Sequence, residues 1–273
     1  MGATPTPTPT PPYDGSLEPA AAVLALVPSD AQTVTVTDFD QVRKELGLGE
    51  LSDRSPAADV AAFWQRANAE LPLLTTGLLR PADERLSRGY GFTELDVAWE
   101  AHFADADGHE LGWVLRFRND TDMARVQKAA ADPATPLAGA VVDAETHLAS
   151  SGATDDPARS WESDPSLAPL VGEPANATYV ARSCDGDVGS DDVDELGPFS
   201  VQFEGSLATA RLGPGRQDLF IRMRLGQADP AFAAAYAGGV ADPKTGRIGY
   251  VMTDPAAAAR LALAHELPFA TCA

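Results

Sequence analysis

Cysteine is the residue type whose chemistry this sequence defines best. Cys184 and Cys272 are the two cysteines among 273 residues. A single pair is typical of a structural disulfide, which persists in an oxidising compartment. A reactive thiol needs a basic or histidine-bearing neighbourhood, whereas Asp185 directly follows the first cysteine. We therefore predict a Cys184–Cys272 disulfide that stabilises the fold by about 4–5 kcal/mol. We also expect the strands that end at these cysteines to be neighbours in one sheet.

The densest acidic cluster follows the first cysteine. Calcium prefers several carboxylate oxygens at alternating positions of a loop, and the candidate ligands here are Asp185, Asp187, Asp191 and Asp192. When the segment is aligned with a calcium-binding loop, the first ligand position falls on Ala181. The sequence therefore departs from the calcium-loop pattern at the position where that pattern is strictest. The alternative is a solvated acidic loop. No cofactor other than calcium is expected.

Histidines provide a second candidate metal site. His102 and His109 flank the turn that contains Asp105 and Asp107, and together these side chains could ligate a metal ion. The alternative is that His102 is an ordinary strand residue and His109 an ordinary turn residue. The other two of the four histidines have no partner that the sequence identifies.

Motifs of common enzyme classes are missing from the sequence. It contains no Gly-x-Ser-x-Gly nucleophile elbow, no His-Glu-x-x-His and no Gly-x-x-x-x-Gly-Lys phosphate loop. Carboxylate pairs for hydrolysis come from distant segments and stay open as an alternative. The 40 acidic and 20 basic residues give a net charge of −20, which argues against binding to nucleic acid or to an anionic membrane surface.

One apolar segment, residues 71–79, is a candidate binding surface. Pro72 and Gly77 predict a loop between helices. Several leucines are unusual on a bare loop, so we expect them either to be buried in the core or to line a groove for a partner or a lipid tail. The candidate groove residues are Leu73, Leu74, Leu78 and Leu79.

The periodicity of the remaining chain predicts an α+β fold with antiparallel-rich sheets covered by helices. Helical spacing dominates up to about residue 90, and strand-like alternation follows at 97–118, with Asp107-Gly108 as a hairpin turn. Asp38 is expected to cap a helix after a strand at 33–37. Strands are also expected at 219–225 and 268–272.

Composition divides the chain into four parts. Residues 1–17 begin with alternating Thr and Pro and predict a disordered tether. Two α+β halves follow at 18–153 and 169–273, joined by a polar linker at 154–168, with the disulfide closing the second half. We consider the halves as two related ferredoxin-like units. Residues 112–131 can be laid over 246–264 or over 218–238, so the register of a duplication stays open.

The sequence also indicates where the protein acts. No apolar run approaches the length of a membrane span, and the tether follows Met1 with no signal-peptide pattern. We therefore expect that a leader was removed and that a lipidated cysteine stood just before Gly2. The Val-Pro-x-Asp-Ala turn at 27–31 and the ending Pro-Phe-Ala-Thr-Cys at 268–272 resemble uncharacterised secreted proteins and lipoproteins of actinobacteria, and the resemblance implies an envelope location without an activity.

These observations together predict an extracytoplasmic, membrane-tethered, non-catalytic envelope protein that binds an unknown ligand or protein partner. One alternative is an extracytoplasmic hydrolase with an unrecognised carboxylate or histidine site. The other is a purely structural module.

Overall fold

The chain forms one continuous antiparallel sheet in the computed structural model, which describes residues 13–186 and 193–273. The sheet has ten strands: β1 Thr33–Asp38, β2 Val97–Ala104, β3 Glu110–Phe117, β4 Val141–Asp143, β5 Leu148–Ser151, β6 Ala177–Ala181, β7 Phe199–Glu204, β8 Leu207–Arg211, β9 Tyr236–Asp242 and β10 Arg247–Met252. Every strand pairing is antiparallel. The first twelve residues of the predicted tether lie outside the described residues.

Eight helices accompany the sheet within the described residues: α1 Pro19–Ala22, α2 Phe39–Glu45, α3 Ala57–Glu70, α4 Asp83–Tyr90, α5 Met123–Ala130, α6 Leu219–Ala228, α7 Pro230–Ala235 and α8 Pro255–Leu263. The Asp38 side chain accepts a hydrogen bond of 2.9 Å from the Gln41 N–H, as expected of the cap of α2. The predicted α+β class with antiparallel sheet and helical cover is confirmed.

The order of the strands is the same in both halves when it is counted outward from the centre. The sheet runs β4-β5-β3-β2-β1-β6-β7-β8-β10-β9, so each half has the order first, second, third, fifth, fourth. Each half therefore has five strands, which differs from the ferredoxin-like β-α-β-β-α-β unit considered above. By strand position, β3 and α5 of the first half correspond to β8 and α6 of the second half. Neither overlay proposed from the sequence, of 112–131 on 246–264 or on 218–238, aligns these elements.

The two halves meet where β1 pairs with β6. Five residue pairs join these strands, from Thr33 with Ala181 to Thr37 with Ala177. Side chains alternate along β1, so its threonines face one side of the sheet and Val34 and Val36 face the other. We call the side of the threonines the helical face, because the larger helices pack on it.

Three cores hold the layers together. On the helical face of the first half, Phe39, Phe63 and Trp64 from α2 and α3 pack on β2, β3 and β5. On the same face of the second half, residues of α6, α7 and α8 pack on β6, β7, β8 and β10. The third core covers the opposite face of the first half. It includes Trp161, which is 1% exposed although it lies in the segment predicted as a linker. The boundaries of the halves and the linker stay a prediction.

Two predicted strands are wrong. Residues 219–225 belong to helix α6, because Asp218 and Arg222 are spaced to pair on one helix face and form a buried ion pair of 2.6 Å. Alternation of apolar residues with arginines there imitates a strand. Pro268–Ala270 is a short 3-10 turn, which suits a proline that lacks an N–H for a sheet ladder.

Cys184 and Cys272 form the predicted disulfide, with their Cα atoms 5.1 Å apart. The expectation that two neighbouring strands carry them is wrong. Cys184 lies three residues beyond β6, and the chain ends are aligned by two backbone hydrogen bonds, from the Asp185 N–H to the Ala270 carbonyl at 2.8 Å and from the Cys272 N–H to the Gly186 carbonyl at 2.9 Å. A disulfide of this kind fits a protein outside the cytoplasm. None of the described helices is long and apolar enough to span a bilayer.

Candidate functional site

A cleft opens on the helical face of the sheet, above the central strand β1. Its floor contains Thr33 and Thr35, which are only half-buried. His102 on β2 and Tyr179 on β6 are the register partners of Thr35, so these three side chains form a row across the floor. Two adjoining cavities of about 270 and 280 Å³ share Thr33 and His265. We call this region the central cleft.

Strand β2 supplies polar side chains on one side of the cleft floor. Its residues Trp99, Ala101 and Phe103 face the opposite side of the sheet and join the core there. The residues between them, Glu100 and His102, therefore face the helical side. Glu100 is fully buried, whereas the His102 side chain is 22% exposed.

Glu100 is held by three hydrogen-bonding contacts, two from the 71–79 loop and one from His102. Its Oε1 accepts a bond from the Thr75 hydroxyl at 2.5 Å and lies 2.6 Å from His102 Nε2. Its Oε2 accepts a bond from the Leu78 N–H at 2.9 Å. A buried carboxylate with several donors is stabilised in its charged form.

Glu94 is a second buried carboxyl beneath the same loop. It is fully buried, and its Oε2 accepts a hydrogen bond of 2.6 Å from the Leu79 N–H. Its Oε1 has no hydrogen-bond partner among the described residues. Gly77 has φ +92°, and a Cβ atom there would lie 2.8 Å from the Glu94 side chain. The close approach of loop and carboxyl therefore requires glycine at this position.

The two carboxyls have opposite pKa shifts. Burial and the neighbouring Glu100 charge raise the pKa of Glu94 well above its ordinary value. Burial alone would raise the pKa of Glu100 too, but its bond to His102 lowers it below the ordinary value. Burial lowers the pKa of His102, and the bonds to Glu100 and Glu110 outweigh burial, so that pKa is raised. These shifts favour the protonated form of Glu94, the charged form of Glu100 and the protonated form of His102.

The second half contributes polar side chains on the other side of the cleft. The Tyr179 hydroxyl and His265 Nδ1 are 2.9 Å apart, and the same nitrogen lies 3.5 Å from Asp185 Oδ1. The bond to Asp185 raises the pKa of His265. The Asp185 side chain is 6% exposed, and its Oδ2 has no partner among the described residues.

The β2–β3 turn forms the rim of the cleft. Asp105 Oδ1 accepts hydrogen bonds of 2.9 Å from the N–H groups of Asp107 and His109. One ligand atom from each of these three side chains lies within 4.8 Å of the others. His102, which the sequence also offered to this metal site, bonds instead to Glu100 and Glu110. The structure therefore brings together three of the four side chains considered.

The candidate groove residues occupy the core rather than an open groove. Leu74 and Leu79 are buried, and Leu73 and Leu78 are partly buried against the helical core of the first half. The Leu74 N–H also donates a hydrogen bond of 3.2 Å to the Thr37 hydroxyl. The loop thus packs on the core, and its leucines follow the core-burial alternative.

The predicted calcium loop is described only in part. Asp185 is in place at the wall of the cleft, whereas Asp187, Asp191 and Asp192 lie outside the described residues. Calcium binding by this loop stays a prediction.

Several site residues were missed by the sequence reasoning. Glu100 carried a usable signal, since it interrupts an apolar strand on the same face as His102, which the sequence had already offered as a metal ligand. Glu94, Tyr179 and His265 carried none, because their partners are distant in the chain and come together only through the sheet register.

His102 and the two buried carboxyls are not placed for acid–base chemistry. A general base needs a free ring nitrogen or carboxylate within reach of a substrate. Both ring nitrogens of His102 are bonded to carboxylates, and Glu94 and Glu100 have no exposed surface. The groups that do face the cleft are hydroxyls, a tyrosine, partly exposed histidine rings and the carboxylates of Glu110, Asp105, Asp107 and Asp185.

Comparisons with known proteins give little further information. No family model matches the chain, and no curated protein matches it. The chain is similar to the solved structure "Structure of crystal form I of TP0453", with a TM-score of 0.38 and 9% identity over 93% of this chain and 100% of that one. A likeness this weak transfers no function.

Proposed function

We propose that this chain is an extracytoplasmic envelope protein that binds a small polar ligand in the central cleft and does not turn it over. The observation that carries the proposal is the cleft itself, which lies where the two halves meet and receives polar side chains from both. His102 and Glu110 line it from the first half, and Tyr179 and His265 line it from the second. Ligand sites commonly combine a concave surface with a few such convergent polar groups.

Absence of turnover is supported by the state of the polar groups. The buried Glu94–Glu100 pair is the observation that would favour the hydrolase alternative. Both carboxyls, however, are covered by the 71–79 loop, whose N–H groups bind them. A substrate would reach them only after the loop had opened and these hydrogen bonds had broken.

The location proposed for this function is the outer side of the cytoplasmic membrane of an actinobacterium. The disulfide supports an oxidising compartment. The Thr/Pro segment at 4–12 supports a tether, and a lipid anchor at the native N-terminus would complete it.

The test compares two leucine substitutions of similar exposure. Leu263 is 46% exposed and lines the cleft, whereas Leu207 is 53% exposed and lies outside the cavity that Leu263 lines. Immobilised wild type, Leu263→Trp and Leu207→Trp are each incubated with a small-molecule extract of an actinobacterial envelope, and retained compounds are identified by mass spectrometry. We expect a compound that wild type and Leu207→Trp retain unchanged and that Leu263→Trp loses.

Two outcomes would contradict the proposal. Retention by all three proteins alike would place the ligand outside the cleft. Chemical conversion of the retained compound by wild type, abolished in Leu263→Trp, would favour the hydrolase alternative.

A further inference from the structure

The rim of the central cleft carries side chains of metal-coordinating types that the proposed small-molecule site does not use. Asp105, Asp107 and His109 offer two carboxylates and one imidazole whose ligand atoms lie within 4.8 Å of one another. The Asp107 and His109 side chains are exposed, so the atoms are accessible to an ion from solution. Asp105 Oδ1 accepts hydrogen bonds from two backbone N–H groups, and Oδ2 lies 3.3 Å from His109 Nδ1, a contact that a bound ion would replace.

A second observation points to missing positive charge at the same place. Asp185 lines the same cavity of about 280 Å³ as Asp105 and Asp107. Its side chain is 94% buried, and its Oδ2 has no hydrogen-bond partner among the described residues. A buried carboxylate oxygen without a partner is destabilising, and a nearby cation relieves that penalty.

Lysine and arginine side chains do not supply this charge. The described residues that line the cavity include Asp105, Asp107, Asp185 and His265, but no lysine or arginine. His265 lies near Asp185 Oδ1 rather than near Oδ2. The cavity therefore has an excess of carboxylates, and a metal ion would balance it.

We propose that Asp105, Asp107 and His109 bind a divalent transition-metal ion, with Asp185 contributing negative charge from across the cavity. The donor set selects the class of metal, because an imidazole with carboxylates suits Zn²⁺ and its first-row neighbours, whereas Ca²⁺ takes oxygen ligands. Water completes the coordination on the side of the cleft. The ion binds whether or not the cleft also holds an organic ligand.

The test measures Zn²⁺ binding to the tag-free, disulfide-intact chain after treatment with chelator. Isothermal titration calorimetry is run on wild type, Asp107→Asn, His109→Ala and Asp185→Asn. The matched control is Asp242→Asn, which changes an aspartate of similar turn geometry, with N–H groups bonded to its side chain, in the β9–β10 hairpin.

We expect one Zn²⁺ per chain in wild type and in Asp242→Asn. Loss of a ligand in Asp107→Asn or His109→Ala should weaken binding by about 10-fold or more. Asp185→Asn should also weaken binding, with a smaller effect. Asp107 and His109 are exposed, so circular dichroism should show that these two variants fold normally.

Three results would overturn the proposal. Zn²⁺ bound equally by wild type, Asp107→Asn and His109→Ala would place the ion elsewhere. Absence of heat from wild type at millimolar Zn²⁺ would exclude the site. Ca²⁺ binding that is stronger than Zn²⁺ binding and is lost in His109→Ala would contradict the assigned metal class.

Discussion

Glu94 and Glu100 are both buried carboxyls, and we predict opposite results when each is replaced by glutamine. Glu94→Gln keeps an oxygen that accepts the Leu79 N–H bond and replaces a group that is already neutral. Below the ordinary pKa of 4.5, where this acid is protonated in the folded and the unfolded chain alike, it should change the free energy of unfolding by less than about 1 kcal/mol, and at pH 7 it should be stabilising. Glu100→Gln removes the carboxylate that lies 2.6 Å from His102 Nε2 and leaves the partly buried His102 ring with one carboxylate partner instead of two.

The expected loss for Glu100→Gln follows from the cost of breaking a buried ion pair. Such losses are about 3–5 kcal/mol, and because Glu110 still pairs with His102, we expect about 3 kcal/mol here. This corresponds to a fall in melting temperature of about 6–12 °C. Urea unfolding followed by circular dichroism measures the difference. Glu70→Gln, which alters an exposed pair with Arg66, is the control and should unfold at nearly the same urea concentration as wild type.

The pH dependence of the free energy of unfolding provides an independent test of the same prediction. The pKa of Glu94 is raised above its ordinary value of 4.5, so the folded protein keeps a proton that the unfolded chain releases. Wild type therefore loses stability as the pH rises above 4.5, and Glu94→Gln does not. The advantage of Glu94→Gln over wild type should grow from pH 4.5 towards pH 7. Equal losses for the two variants, or an advantage that shrinks with pH, would refute the assigned protonation states.

Three further results are expected. Gly77→Ala should lower the free energy of unfolding by about 2–5 kcal/mol, because the added Cβ is strained at positive φ and overlaps the buried Glu94 side chain. The control Gly47→Ala has φ +71° but no atom within 4 Å of the added Cβ, so it should lose only about 1–2 kcal/mol. Equal losses for the two variants in urea unfolding would contradict the close contact at Gly77. Reduction of the Cys184–Cys272 disulfide should lower the free energy of unfolding by about 4–5 kcal/mol, checked by urea unfolding with and without reductant. Burial raises the pKa of Asp96 to about 6 from 3.8, so wild type should lose up to about 3 kcal/mol between pH 4 and pH 7 relative to Asp96→Asn; parallel stability curves would show that this carboxyl is not perturbed.

Local signals in the sequence predicted the parts of the fold that depend on neighbouring residues. The threonine and valine alternation of β1 and the cap at Asp38 involve contacts within a few positions, and both are present. Helix α6 was misassigned because its arginines alternate with apolar residues. The informative spacing there was the interval of four between Asp218 and Arg222, which places their charges on one helix face.

The candidate site was less predictable because burial is decided by segments far away in the chain. Glu100 and His102 could be placed on one face of β2, but nothing near them indicates that the 71–79 loop covers them. The leucines of that loop suggested a binding surface. Its N–H groups instead bind the two buried carboxyls, and Gly77 allows the loop to approach Glu94 closely. The seam between β1 and β6 brings Tyr179 opposite Thr35, a contact that no local pattern specifies.

The pairing of β1 with β6 also determines what happens when the chain is cut. Five residue pairs of this ladder join the halves without the covalent connection at 154–168. A protease nick in that connection should leave two fragments that stay associated under native conditions. Separately produced fragments would then be suitable for complementation, with reassembly driven by the ladder of main-chain hydrogen bonds.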